Sequence, residues 1–105
     1  MSFSRGEVVL LPIPFSDLTS RKVRPAVVIG LSTHASALFG VPISSQLQNV
    51  DVVLNDWRAA DLNVPCGIKS QIATVESHLV LKTVGALSPK DRPALEQKLR
   101  TWLQL

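Results

Sequence analysis

A chain of 105 residues with 46% hydrophobic side chains has room for one modest core and is too apolar to stay disordered. Eleven basic residues against eight acidic ones leave a formal charge of +3, which suits a polyanionic partner without requiring one. The single cysteine, Cys66, excludes an internal disulfide and a thiolate zinc cluster, and no apolar run approaches the ~20 residues that cross a bilayer.

In chain order, the segment Met1-Ser2-Phe3-Ser4-Arg5 reaches Glu7 too soon for a secretion signal, so a soluble, cytoplasmic protein is expected. Residues 8–15 are apolar and branched, but Pro12 and Pro14 fit an edge or bulged strand rather than a central one. Residues 16–22 read as a polar loop, and Arg21, Lys22 and Arg24 crowd its end. Residues 26–31 are apolar on both faces, the pattern of a strand buried on both sides. A third strand is expected over 38–46, interrupted by Gly40 and Pro42, and a short fourth over 50–54. Asn55-Asp56 caps a brief helical turn through 57–60. Two further strands are expected over 68–75 and 79–87.

The period then changes. Leu95, Leu99, Trp102 and Leu103 recur at helical spacing and mark one apolar helix face. Ser88-Pro89-Lys90-Asp91 reads as the helix start, with Ser88 as cap and Pro89 at the first position. Pro93 lacks an amide proton and delays the regular helix to about Asp91. No repeat or composition shift marks a second unit, so a single domain over 1–105 is expected. Its class is mainly β: a compact, strongly bent barrel with a C-terminal α-helix.

Several chemistries find no support in the sequence. His34 and His78 are isolated, with no metal-ligand spacing around them. The five glycines are spread singly, so no loop cradles a nucleotide phosphate. Cys66, between Pro65 and Gly67, has no base nearby and reads as a structural thiol. What remains open is RNA cleavage, because RNA carries its own nucleophile in the 2′-hydroxyl. A protein need only orient the backbone, stabilise negative charge and assist proton transfer.

At this point the sequence resembles a known family. Arg5-Gly6-Glu7-Val8-Val9 is similar to the opening G-[DE]-[IV]-[VI] of PemK/MazF toxins. Arg24-Pro25-Ala26-Val27-Val28-Ile29 resembles their R-P-[AV]-[VL]-[VI]-[IL] strand, and Val41-Pro42-Ile43-Ser44-Ser45-Gln46 their [VA]-P-[IC]-T-[TS]-Q segment. Asp56-Trp57-Arg58-Ala59-Ala60, Pro65-Cys66 and Gly85-Ala86-Leu87-Ser88 resemble later motifs, in the family's order. The resemblance implies an SH3-like (CcdB/MazF-type) bent barrel acting as a homodimer. It also implies a toxin that cuts single-stranded RNA without metal or organic cofactor, leaving 2′,3′-cyclic phosphate and 5′-hydroxyl ends. An antitoxin partner would cover the RNA groove with an acidic segment.

The resemblance carries residue by residue onto two positions. Arg24 matches the arginine of the R-P motif; it would stabilise the transition state and give a proton to the leaving oxygen. Its place before Pro25 independently favours extended backbone, and a guanidinium can fork two bonds to a phosphate. Ser44 stands where most members have threonine. Strand alternation puts Phe39, Val41, Ile43 and Ser45 on one face and Ser44 on the other, free to bond a phosphate unless Pro42 breaks the count. The plainer reading of Ser44 is a hydroxyl bonded to its own backbone at the strand end.

One departure stands out. The glutamate that many members place before the arginine is missing, and Asp17 is the nearest acid, so Asp17 is the candidate general base. Arg21 and Lys22 are expected to touch phosphates, and Ser45 and Gln46 to contact RNA, though Gln46 could equally satisfy backbone groups. Trp57 is open to base stacking, whereas Trp102 lies on the helix's apolar stripe. Two rival readings remain. One is a non-catalytic RNA- or protein-binding module; the other is a gyrase-directed CcdB-type toxin, disfavoured because the chain ends Leu103-Gln104-Leu105 where that family needs Trp-Gly-Ile.

Overall fold

The computed structural model describes residues 3–12, 23–33 and 36–105. Its strands are β1 (Glu7–Pro12), β2 (Val23–Leu31), β3 (Ala37–Ser44), β4 (Val52–Val53), β5 (Gly67–Ile68), β6 (Ala73–Glu76) and β7 (Lys82–Ala86), and its one α-helix is α1 (Arg92–Leu103). The strands form one antiparallel sheet in the order β4-β5-β3-β2-β1-β7, with β6 added along β3. The sheet bends in a barrel-like way, but it does not close on itself among the described residues.

Both faces of β2 are buried, as its unbroken apolar run implies. Val27 and Ile29 join a cluster with Val8, Val41, Ile43 and the helix residues Leu95 and Leu99. Ala26 and Val28 join a second cluster on the opposite face with Phe3, Val9, Leu11 and Leu38. Each fully buried leucine contributes roughly 1.5–3 kcal/mol relative to an exposed one, so α1 is held mainly by Leu95 and Leu99. Leu103, expected on the same stripe, is 49% exposed in the last turn.

Several boundaries differ from the sequence reading. β1 is not an edge strand, because it lies between β2 and β7; it is bulged, with a register shift against β7 between Val8 and Val9. Pro12 is tolerated because its last neighbour on β7 is already passed at Leu10. Gly40 and Pro42 do not interrupt β3, which runs on opposite Val28 and Ala26. The strand expected over 68–75 is instead two, β5 and β6. Between Gly40↔Ala73 and Ile43↔Ile68, three steps along β3 face five along the partner, and the slack breaks the ladder. Residues 77–79 form a 3-10 turn, so β7 begins only at Lys82.

The regular helix starts at Arg92, close to the delayed start read from Pro93, with Asp91 rather than Ser88 at the cap position and Pro89 in the turn before it. Ser88 Oγ accepts the Lys90 amide at 3.2 Å, and the Ser88 carbonyl accepts the amides of Asp91 and Arg92 at 3.0 Å. Pro93 falls in the first turn, where its missing amide costs no helical bond. Arg5 ties the chain's beginning to this helix. Its Nη1 donates to both Glu96 carboxylate oxygens at 3.0 and 2.8 Å, and its Nε donates to the Ile29 carbonyl at 2.9 Å.

Candidate functional site

Register builds one wall of a groove. Leu10 of β1 is paired with Pro25 on β2 and with Lys82 on β7. The β2–β3 register, Ala26 opposite Pro42, brings Ile43 beside Pro25 when carried one residue further. These positions share the face of the larger core cluster, and here that face opens outward. The groove they line has a volume of about 420 Å³, and Arg24, Ser45 and Val84 line it with them. That volume lies within the ~300–1,000 Å³ range of small-ligand pockets.

The rest of the lining is a second wall, the loop Asp61 to Val64, together with Cys66. It follows a run of tight turns in which the amides of Ala59, Ala60 and Asp61 donate to the carbonyls of Asp56, Trp57 and Arg58 at 3.0–3.2 Å. Asp61 ends the run with φ 62°, the left-handed region that non-glycine residues seldom adopt. Asp91 fastens the run's start from 35 residues away. Only 1% exposed, it accepts the Asn55 amide on Oδ1 at 2.8 Å and the Asp56 amide on Oδ2 at 2.9 Å. Gly85 admits the same loop onto β7: a Cβ there would lie 2.6 Å from the Ala60 carbonyl oxygen.

Of the residues singled out from the sequence, Arg24 and Ser45 line the groove, and both are exposed. Ser44 is half-buried and is absent from the groove lining. Its Oγ accepts the Gln46 amide at 3.1 Å, a strand-end bond within the chain's own backbone. Gln46 is exposed, and its Oε1 accepts a bond from Asn49 Nδ2 at 3.1 Å. Asp17, Arg21, Lys22 and His34 lie outside the described residues. Trp57 and Trp102 both pack against the larger core cluster, and the Arg58 guanidinium sits 4.7 Å from the Trp57 ring centroid. His78 is exposed, with Nε2 3.4 Å from Glu76.

Cys66 is buried, and burial first, then the Asp91 carboxylate, push its thiol above its ordinary pKa. A neutral, enclosed thiol is a poor nucleophile and a poor ligand. Among the described residues, no group of three or more His, Cys, Asp and Glu is placed to hold a metal ion. No helix among them is long and apolar enough to cross a membrane.

The groove also contains residues that the sequence reading passed over: Lys82, Asp61 and Asn63. Lys82 is visible only once the β1–β7 register is known, and the 61–64 wall only once Asp91 is seen to hold it. The site therefore combines a guanidinium, an ammonium, a hydroxyl and a carboxylate around one open volume. Two cations against one acid make it suited to a phosphodiester backbone.

Compared with known proteins, residues 4–103 match the profile of one family, described as PemK-like, MazF-like toxin of type II toxin-antitoxin system. No curated protein matches the chain.

Proposed function

The chain belongs to the PemK-like, MazF-like toxins of type II toxin–antitoxin systems, and from that premise we propose that it is an endoribonuclease cutting single-stranded RNA without a metal ion. The 2′-hydroxyl attacks the adjacent phosphorus and leaves a 2′,3′-cyclic phosphate and a 5′-hydroxyl. DNA, lacking that hydroxyl, is bound but not cut. Arg24 takes the phosphate's non-bridging oxygens and stabilises the charge that builds on them. Ser45 bonds the same backbone from the groove. Ser44, whose oxygen already accepts one amide, keeps its proton to donate to a phosphate oxygen. Arg21 and Lys22 extend the phosphate contacts, and Gln46 contacts the RNA beyond the strand end. Membership in a type II toxin family implies an antitoxin partner; an acidic segment of it would fill the groove. The working form is a homodimer in the cytoplasm.

The observation that carries this reading is the meeting of Arg24, Lys82 and Ser45 on one groove of about 420 Å³. The bond from Gln46 to Ser44 favours a second reading, a barrel that binds RNA without cutting it. Incubating purified protein with a long single-stranded RNA in excess EDTA separates them. The nuclease leaves fragments with cyclic phosphate ends, and Arg24→Ala slows their appearance by about 10²–10³-fold. Binding without fragments selects the second reading. Intact RNA together with stabilised gyrase–DNA breaks selects the gyrase-directed toxin.

A further inference from the structure

Resting on the endoribonuclease reading, we propose that Asp61 is the general base that takes the proton from the attacking 2′-hydroxyl. No other carboxylate lines the described groove. Of the remaining groove residues, Lys82 and Arg24 are cations and Cys66 is a buried thiol, so none is suited to accept a proton.

The φ of Asp61, 62°, is one that aspartate adopts more readily than most side chains, so the backbone alone assigns it no role. Two features of Asp61 go beyond what a turn residue needs. Its side chain puts negative charge into a groove suited to a polyanion, which by itself weakens binding. The carboxylate also forms no ion pair with another described residue, although Arg24 and Lys82 line the same groove. Among the described residues, no cation or donor competes with a substrate proton for its oxygens.

The mounting is rigid. The Asp61 amide donates to the Arg58 carbonyl at 3.0 Å and the Leu62 amide to the Trp57 carbonyl at 3.2 Å. The start of the same turn is pinned by both oxygens of buried Asp91. A base on such a support stays positioned without help from the substrate.

In the step itself, the 2′-oxygen gives its proton to the Asp61 carboxylate and forms the new bond to phosphorus. The bond from phosphorus to the 5′-oxygen breaks, and its electron pair leaves with that oxygen. A water molecule, rather than the Arg24 guanidinium, which holds its protons at every relevant pH, protonates the leaving oxygen, and the proton held on Asp61 neutralises the resulting hydroxide. Asp61 and the water are thereby restored.

Asp61→Asn and Asp61→Gly both suit the left-handed backbone and retain the fold, so they test the carboxylate alone. Each is expected to lower kcat by about 10²–10³-fold with KM unchanged or reduced. Each also binds 2′-O-methyl RNA, which cannot be cut, more tightly than the wild type. Wild-type rates in both variants overturn the proposal, as does a loss confined to KM with weaker RNA binding. If Asp17→Asn abolishes cleavage while both Asp61 variants cut normally, the base belongs to the loop before Arg24 and the proposal falls. A wild-type protein that leaves RNA whole overturns the nuclease reading as well, an outcome distinct from active variants.

Discussion

The two walls of the groove are built by different means. Leu10, Pro25, Ile43 and Lys82 are set side by side by strand pairing, so each position is fixed by backbone hydrogen bonds to its neighbours. Asp61 to Val64 belong to no strand. Their wall stands because Asp91, at the head of α1, holds the amides of Asn55 and Asp56, and because Gly85 leaves space for Ala60. The first wall follows from strand pairing; the second depends on one buried carboxylate far away in sequence. The charges divide in the same way, with Arg24 and Lys82 on the strand wall and Asp61 on the loop wall.

The strongest way to break this comparison is to remove the pin. Asp91→Ala leaves two part-buried amides without their acceptors and should cost roughly 2–4 kcal/mol of stability, read as a lower urea midpoint. Asp91→Asn keeps the size and one acceptor oxygen but turns its amide NH2, a donor, toward a donating backbone amide, so an intermediate loss is expected. If the loop instead stood on its own packing, both changes would cost no more than an exposed cap, about 1 kcal/mol. RNA cleavage by the Asn variant, assayed below its unfolding transition, should fall because Asp61 is no longer held.

This division also explains what could be read from the sequence. The burial of β2 on both faces, the terminal helix and its delayed start were legible because they depend on local periodicity and on proline's missing amide. Arg24 was singled out by the resemblance, with its place before Pro25 as independent support, and it lines the groove; alternation set Ser45 and Ile43 on one face, and both line the groove while Ser44 does not. The split of 68–75 into two strands was not, because it comes from a register slip against β3 that no local pattern records. Asp61, Asn63 and Lys82 were invisible for a similar reason. Their place in the groove is decided by partners on β1, β7 and α1, not by their own neighbours in sequence.

A smaller effect sharpens the contrast between the walls. Lys82→Ala removes one cation from the strand wall and should weaken binding of uncleavable RNA about equally for every sequence. Its slope of log affinity against log salt should shrink by about one. Asn63→Ala, on the loop wall, removes hydrogen-bonding capacity without charge. It should leave that slope alone and change the ranking of RNA sequences instead. Equal sequence dependence in the two variants would mean that the walls do not divide the work.

The smallest expected effect comes from Cys66, which lies on the loop side of the groove and is buried beside Leu54, whose amide donates to the Cys66 carbonyl at 3.0 Å. Burial, and then the Asp91 carboxylate, raise its thiol in the folded chain above the ordinary value of 9.0. The folded state therefore favours the protonated thiol, and this contribution is fully present below pH 9.0. Above it the unfolded chain gives up its proton first, so stability declines with rising pH until the folded thiol titrates too. Urea unfolding of the wild type and of Cys66→Ala across this window isolates the contribution, and the wild type should show the steeper decline. In the native protein at neutral pH the thiol should resist alkylation, and unfolding should expose it. Rapid alkylation without unfolding would mean that the loop wall opens freely, and Asp91 would then hold it less firmly than its two short bonds imply.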